Sequence, residues 1–438
     1  MNTTVLLALV VGAGIVIGLA SAPISVTRRA GLLLLAASLL ALVLVPEIAL
    51  VSALAVGAAF VVDAFMIRRA PSVRRDMSTV LARGVASPLR VESRQSPGVR
   101  VRLRQPQVPD IAIEPPEGTD VLDASVVARR RGRHNLPPVA TRSDGPLRLA
   151  SWYRGRSDAT ELLVYPDLPA ARRLALAVRQ GRFRDPGRLT RGPLGLGTDF
   201  ESIRDYSPDD DARQINWRAT QRMGRAMSNQ YRVEQDREVV CVIDAGRLMT
   251  APIGTLTRLD AALDAVAAVA LVADEVGDRC GAVAFDSEVR RRLSPRRSGG
   301  DAVIRATFDL EPTNLDADYE LAFRTIGGGK RAFVLVLTDL LDEAAADALV
   351  DAVPVLARRH MVVVASATDP DLAQLVANPP ASTADVYAAS AALEVLNARA
   401  RVAAQLRHAG AQVLEASPER LATACVGAYL RAKARARL

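Results

Sequence analysis

Residues 239–249 read VVCVIDAGRLM, a short apolar run that ends at a single carboxylate. An uninterrupted apolar run of this length is typical of a parallel strand that is buried on both faces. Four more such runs follow at residues 282–285, 333–337, 361–365 and 412–414, and helical patterns separate them. This alternation predicts a doubly wound α/β sheet with helices on both faces over residues 237–438.

The first 70 residues carry only six charged side chains and are predicted to form transmembrane helices. Three apolar segments lie at about 5–24, 30–45 and 48–67, and a helix of about 20 residues spans the ~30 Å core of a bilayer. The arginines that follow the first and third segments predict a cytoplasmic location for the bulk of the chain. The sequence therefore predicts a multi-pass protein of the cell membrane, with the lipid bilayer as a partner.

Asp63 lies inside the third of these apolar segments. A carboxylate within the membrane is a candidate functional group. Since Asp63 is about one helical turn from the cytoplasmic end, the simpler interpretation is that its side chain reaches the interface.

Residues 71–167 show short alternating runs separated by proline and glycine clusters, which predict an antiparallel β-sandwich-like domain. In the clearest run, Val101 and Leu103 alternate with Arg100, Arg102 and Arg104. Nucleic-acid binding requires stacking aromatics beside such arginines, and aromatic residues make up only 4% of the chain. We therefore expect no nucleic-acid partner, although the net charge is +8.

The sequence lacks the spacings that define common catalytic sites. Gly327-Gly328-Gly329-Lys330 lacks the first glycine and the hydroxyl residue of a phosphate loop, and the three histidines lie far apart. The three cysteines cannot form a disulfide framework and indicate a reducing compartment. We expect a protein that is not an enzyme and that holds no cofactor.

Residues 168–236 are predicted to contain a helix followed by a distinctive segment, residues 197–234, which reads GTDFESIRDYSPDDDARQINWRATQRMGRAMSNQYRVE. Its aromatic residues lie among arginines and aspartates, which indicates an ordered loop held by ion pairs and cation–π contacts. The segment is either a docking surface for a partner or a structural support for the following domain, and both interpretations require the same chemistry.

The same segment resembles the domain-of-unknown-function family 58, on a pattern of closely spaced positions. The matching residues are Gly197, Asp199, Phe200, Arg204, Tyr206, Pro208, Asp210, Arg213, Ile215, Trp217 and Glu234. Two positions depart from the pattern, because Asp209 replaces the family glycine and Asn216 replaces the usual residue before Trp217.

The resemblance implies that residues 237–438 form a von Willebrand factor type A-like domain. Such domains hold Mg²⁺ with Asp-x-Ser-x-Ser, a threonine and a distant aspartate, and hard cations prefer these oxygen ligands. Asp244, Thr313 and Asp339 match three of these roles, but Gly246 and Leu248 stand where the two hydroxyl residues belong. We expect no metal here, so that the acids cap the next helix or pair with Arg247 instead.

The resemblance also implies a function. Proteins of this family often accompany a MoxR-type AAA+ ATPase, which predicts a membrane-anchored adaptor protein, facing the cytoplasm, that binds this ATPase and helps to assemble or mature other proteins. The alternative is a receptor that binds its ligand through a divalent metal at Asp244, Thr313 and Asp339.

Overall fold

The computed structural model describes residues 24–43, 46–95, 97–156, 158–184, 199–207, 215–232, 236–326, 330–340 and 343–434. The chain divides into two compact units, Met1–Val164 and Tyr165–Leu438.

In its described residues the first unit contains two helices and two antiparallel sheets. Its helices are α1 (Arg28–Val43) and α2 (Pro46–Met66). Its strands are β1 (Ile24–Val26), β2 (Ser72–Met77), β3 (Val80–Ala82), β4 (Ser87–Arg94), β5 (Arg100–Arg104), β6 (Ile111–Glu114), β7 (Glu117–Thr119), β8 (Val121–Ala128), β9 (Gly132–Leu136), β10 (Val139–Asp144), β11 (Ala150–Arg156) and β12 (Thr160–Tyr165). The larger sheet has the order β1-β11-β10-β5-β7-β8-β4-β2, with β6 beside β8, and the smaller has the order β3-β12-β9.

The two sheets share one core because apolar residues alternate along their strands. In β5 the side chains of Val101 and Leu103 are buried, whereas the three arginines are exposed, as the alternation predicts. Both residues belong to a cluster that also contains Leu81 of β3 and Leu162 of β12.

The predicted transmembrane helices are contradicted. Among the residues that the structure describes, no helix combines the length and the apolar character that a bilayer span requires. Helix α1, at 16 residues, is about 24 Å long, which is shorter than the hydrocarbon core. Helix α2 begins with Pro46-Glu47 and contains Asp63, and the predicted first span lies almost entirely outside the described residues. The same finding contradicts the prediction of a multi-pass protein of the cell membrane.

Asp63 has a structural role that its position in the sequence did not predict. Its side chain is fully buried, and it accepts hydrogen bonds from the backbone N–H groups of Leu147 (2.9 Å), Leu149 (2.8 Å) and Ala150 (2.9 Å). Gly145 lies against this carboxylate so closely that a Cβ atom there would overlap it. The carboxylate therefore joins the end of α2 to the loop that connects β10 and β11. The prediction that this side chain reaches the membrane interface is wrong.

In its described residues the second unit contains an α/β sheet, two small hairpins and nine helices. Its strands are β13 (Asp199–Asp205), β14 (Met227–Arg232), β15 (Glu238–Asp244), β16 (Pro252–Ile253), β17 (Leu256–Thr257), β18 (Arg279–Phe285), β19 (Val289–Arg297), β20 (Ala332–Leu337), β21 (Met361–Ala367) and β22 (Gln412–Ala416). Its helices are α3 (Leu168–Arg179), α4 (Trp217–Met223), α5 (Arg258–Glu275), α6 (Gly300–Thr307), α7 (Tyr319–Ile326), α8 (Glu343–Ala357), α9 (Pro370–Ala377), α10 (Thr383–His408) and α11 (Pro418–Ala434), with a 3₁₀ turn at Arg247–Thr250.

The central sheet has the order β19-β18-β15-β20-β21-β22. All its neighbouring pairs are parallel except β18 and β19. Alternate residues of β15 enter two separate cores: Val239 and Ile243 face a core with α3, α5, α6 and α11, and Val240 and Val242 face one with α7, α8 and α10. Helices therefore cover both faces of the sheet, and the carboxyl ends of five strands meet at one edge.

Candidate functional site

Polar side chains end three neighbouring strands at the carboxyl edge of this sheet. Asp244 is the last residue of β15, Asp286 follows β18, and Thr338 and Asp339 follow β20. Since ligands of open parallel sheets bind at this edge, these side chains define the candidate site.

Asp244 is held by groups of the protein itself. Its Oδ1 atom accepts a hydrogen bond from the N–H of Gly246 (2.7 Å), and its Oδ2 atom accepts from the hydroxyls of Tyr319 (2.9 Å) and Thr338 (2.6 Å). Burial raises the pKa of Asp244, although these three hydrogen bonds favour its charged form. The predicted pair with Arg247 is absent from the described contacts of Asp244, and Arg247 contacts Asp316 instead.

The loop that contains Leu315 packs closely over Gly246. The backbone N–H of Arg247 donates to the carbonyl of Leu315 (2.8 Å), and that of Thr313 donates to the carbonyl of Ala245 (2.8 Å). A Cβ atom on Gly246 would lie 2.8 Å from the same Leu315 oxygen. The close approach of the two backbones therefore excludes a serine from the position where the type A-like pattern places its first hydroxyl.

Asp339 pairs with two buried arginines. Its Oδ1 atom lies 2.8 Å from Nη1 of Arg258 and 3.3 Å from Nη1 of Arg399, and it accepts from the hydroxyl of Ser366 (3.2 Å). Nη1 of Arg258 also donates to the carbonyl of Ala367 (2.9 Å). Burial lowers the pKa of Arg258, whereas the negative charge of Asp339 acts to raise it. Two cationic side chains thus lie beside Oδ1 of Asp339, whereas its buried Oδ2 atom accepts no hydrogen bond within the described part of the chain.

Thr313 belongs to a separate cluster at Asp286. Its hydroxyl donates to Oδ2 of Asp286 (3.1 Å), which also accepts from Nη1 of Arg290 (2.8 Å). Burial disfavours the charged form of Asp286, but the hydrogen bonds outweigh it, so that its pKa is lowered. Thr313 therefore binds Asp286, while Asp244 and Asp339 have other partners.

These residues do not fit a bound divalent cation. Asp244, Thr313 and Asp339 each bind different protein groups, and two of the expected hydroxyl ligands are replaced by Gly246 and Leu248. Within the described part of the chain, no group of three or more His, Cys, Asp or Glu side chains is placed to share a metal ion.

A small cavity of about 240 Å³ opens beside Asp244. Arg247, Asp316 and Tyr319 line it together with Asp244, and Ala348 of α8 forms part of the opposite wall. Of these groups Arg247 and Asp316 are exposed, and Asp244 and Tyr319 are buried.

Six of the eleven motif residues named above between 197 and 234 lie within the described part of the chain. Arg204 is exposed on β13 and donates from Nη1 to the carbonyl of Asp205 (3.1 Å), and Tyr206 follows the same strand. Phe200 pairs in register with Tyr231 across β13 and β14. Trp217 begins α4 and is 68% exposed. Gly197, Pro208, Asp210, Arg213 and Glu234 lie outside the described residues.

Asn216, one of the departures from the family pattern, is the N-cap of α4. Its side-chain oxygen accepts from the N–H of Ala219 (3.0 Å), and its Nδ2 donates to Oδ1 of Asn229 on β14 (2.8 Å). Asparagine is among the best N-cap residues, so this position starts the helix and ties it to the hairpin.

Several side chains of the site were not predicted, among them Arg258, Tyr319, Thr338 and Arg399. One signal for Arg258 was present, because a basic residue at the first position of a helix opposes the helix dipole, and α5 carries no other basic residue. Arg399 lies on a helix that carries other arginines, and nothing in the sequence distinguishes it from them.

A comparison with protein families supports the resemblance found in the sequence. Residues 202–411, just under half of the chain, match the family described as "Protein of unknown function DUF58". No curated protein matches the chain.

Proposed function

We propose that this protein is a non-enzymatic adaptor whose second unit binds another protein through a von Willebrand factor type A-like domain. The observation that carries the proposal is the closed centre at the carboxyl edge of the sheet. There Asp244 and Asp339 are held by Tyr319, Thr338 and Arg258 rather than presented to a ligand.

The topology supports the type A-like assignment. In chain order the strands of the sheet are arranged 3-2-1-4-5-6, which is the order of a doubly wound sheet. The third strand, β19, is antiparallel to its neighbour. Helices cover both faces, as the resemblance implies.

The side chains that line the cavity beside Asp244 support a binding role over catalysis. A hydrolytic or group-transfer site requires a nucleophile and a base within hydrogen-bonding reach. Among the described side chains that line the crevice, the titratable groups are Asp244, Arg247, Asp316 and Tyr319. Asp316 is already the partner of Arg247, and Asp244 accepts from Tyr319.

We propose a MoxR-type AAA+ ATPase as the partner and the assembly or maturation of other proteins as the process. This part of the proposal is supported by the family resemblance, which the match over residues 202–411 extends beyond the motif. Exposed Arg204 and Trp217 make residues 197–234 the first candidate surface for the ATPase. The metal-dependent receptor is less well supported, because Arg258 and Arg399 already place positive charge beside Oδ1 of Asp339.

Affinity purification tests the proposal. The tagged full chain is isolated from its native cells with and without ATP and Mg²⁺, and the proteins that copurify are identified. We expect an AAA+ ATPase whose recovery depends on nucleotide and falls with Arg204→Glu. Arg292→Glu, which reverses an exposed charge on β19, is the matched control and leaves the recovery unchanged. If no ATPase copurifies under either condition, the proposal is wrong.

A further inference from the structure

Helices α9 and α10 pack against each other as a hairpin after the carboxyl end of β21 and bury few of their own residues. It follows β21, and every residue from Pro370 to Ala391 is exposed or half-buried. The first buried residue of α10 is Ala392, although the helix begins at Thr383 and is about 39 Å long. Most helices in proteins owe their stability to a buried face, and this hairpin lacks one over slightly more than half of its length.

Apolar side chains are exposed along both helices of the hairpin. Tyr387 is 74% exposed and Val386 is 51% exposed, and Leu375, Val376 and Leu393 are also exposed. Leu372, Leu375 and Val376 have the i, i+3, i+4 spacing of one helical face, and Val386 and Leu393 are seven residues apart on another. A cluster of exposed apolar residues on paired helices marks a surface that another molecule covers.

The charge of the hairpin is unlike that of the rest of the chain. Between residues 361 and 398 there are four acidic residues and no lysine or arginine, although the whole chain has a net charge of +8. Asp369 and Asp385 accept hydrogen bonds from backbone N–H groups at the starts of α9 and α10. Asp371 and Glu394 are exposed. A partner that matches this surface must carry basic residues around an apolar stripe.

We propose that the α9–α10 hairpin is a docking surface for a basic amphipathic helix of a partner protein. Two antiparallel helices that expose apolar residues receive a third helix in the groove between them, which completes their packing. Lysines or arginines on the flanks of that helix meet Asp371 and Glu394. The proposal rests on the proposed function in one respect: it takes the molecule that binds the hairpin to be another protein.

The experiment uses a labelled synthetic helix with leucines on one face and lysines on the other, and a matched Leu/Glu helix. Fluorescence anisotropy with the purified full chain measures binding of each. We expect the Leu/Lys helix to bind and the Leu/Glu helix not to bind. Leu375→Ser together with Tyr387→Ser weakens binding at least about tenfold, and Glu394→Lys weakens it and reduces its salt dependence.

Val355→Ser is the control, because Val355 is a 69% exposed apolar residue on α8, outside the hairpin. It leaves binding unchanged, and thermal unfolding checks that every variant is folded. The proposal is overturned if the hairpin substitutions have no more effect than the control, or if both helices bind equally. It is also overturned if the chain self-associates and the hairpin substitutions abolish that self-association, because the occupant is then a second copy.

Copurification of the ATPase separates this inference from the proposed function. If the ATPase is absent while the peptide binds in a hairpin-dependent way, the adaptor role with that ATPase fails and the docking surface stands. If the ATPase copurifies and peptide binding is independent of the hairpin, the docking surface fails and the adaptor role stands.

Discussion

Arg258 and Asp339 form a buried ion pair at the carboxyl edge of the parallel sheet, with Nη1 of the arginine 2.8 Å from Oδ1 of the aspartate. The two side chains are 5% and 1% exposed. Arg258 is the first residue of α5 and Asp339 follows β20, so the pair joins two elements that are distant in sequence. It places a fixed positive charge beside one of the three residues that the type A-like pattern assigns to a divalent cation.

Removing the arginine of this pair should destabilise the second unit. Arg258→Met keeps much of the side-chain volume but leaves Asp339 with a less compensated buried charge, and breaking a buried pair in this way costs about 3–5 kcal/mol. Chemical denaturation measures the loss. Arg291→Met, at an exposed position on β19, is the control and should change stability by less than about 0.5 kcal/mol. Equal stability of the two variants would contradict a structural role for the pair.

Divalent cations should not stabilise the protein. A site with a Kd of about 0.1 mM would contribute about 2.7 kcal/mol at about 10 mM Mg²⁺, and would raise the melting temperature by several degrees. Because Arg258 and Arg399 already neutralise Asp339, we expect the melting temperature to be the same with Mg²⁺ and with EDTA. A rise with Mg²⁺ that Asp244→Asn abolishes would restore the metal-dependent receptor.

A side chain at Gly246 should strain the loops around the crevice. Gly246→Ser would place its Cβ atom 2.8 Å from the carbonyl oxygen of Leu315, so the backbone must move. We expect a loss of about 1–3 kcal/mol and no gain of Mg²⁺ binding, although the substitution introduces a residue of the metal pattern. Calorimetry of the variant with and without Mg²⁺ checks both points.

Asp63 should be the main determinant of how α2 is attached in the first unit. Asp63→Ala leaves three backbone N–H groups of residues 147–150 without their acceptor, at a cost of at least about 3 kcal/mol. Urea unfolding is followed by Trp152 in a Trp217→Phe background, so that the signal reports the first unit. Asp76→Ala, at an exposed position on β2, is the matched control and should be nearly neutral.

Acid should weaken the contacts of Asp236. Hydrogen bonds from Arg279 (2.6 Å) and Arg297 (3.0 Å) lower the pKa of Asp236 from 3.8 to about 2. A lowered pKa means that the carboxylate stabilises the folded state above about pH 4, and that this contribution is lost as the pH falls from about 4 to about 2. In Asp236→Asn that part of the pH dependence should be absent. If the wild-type chain and Asp236→Asn lose the same stability as the pH falls from about 4 to about 2, the stabilising role of the Asp236 carboxylate is contradicted.

The strands and most helices of the second unit were predictable because their signals are local. The apolar runs at 239–243, 282–285, 333–337, 361–365 and 412–414 each lie within an observed strand. Strand β19 was missed because it has no apolar run: it lies at the edge of the sheet, and its arginines at 290–292 and 296–297 are exposed or half-buried. Helix α9 was missed for a related reason, since none of its residues is buried.

The transmembrane prediction was wrong because hydropathy records only the composition of a segment. The run at 48–67 is as apolar as a membrane span, but the chain uses its single carboxylate, Asp63, to bind a loop about 80 residues away. The prediction of the candidate site was incomplete for a similar reason. Asp244 and Asp339 were found from the ends of their strands, whereas their partners Tyr319 and Arg258 come from helices distant in sequence.

The sequence by itself determined which segments form the buried strands and which residues lie at their carboxyl ends, because burial on two faces requires an unbroken apolar run and each strand ends where that run ends. It also determined the start of α5, through the capping box of Thr257 and Asp260. Only the tertiary structure decided the state of the carboxylates at that edge. Whether an aspartate is open to a ligand or neutralised by a guanidinium depends on distances of a few ångströms between elements far apart in the chain, and the Coulomb interaction that decides it is strong only at such distances.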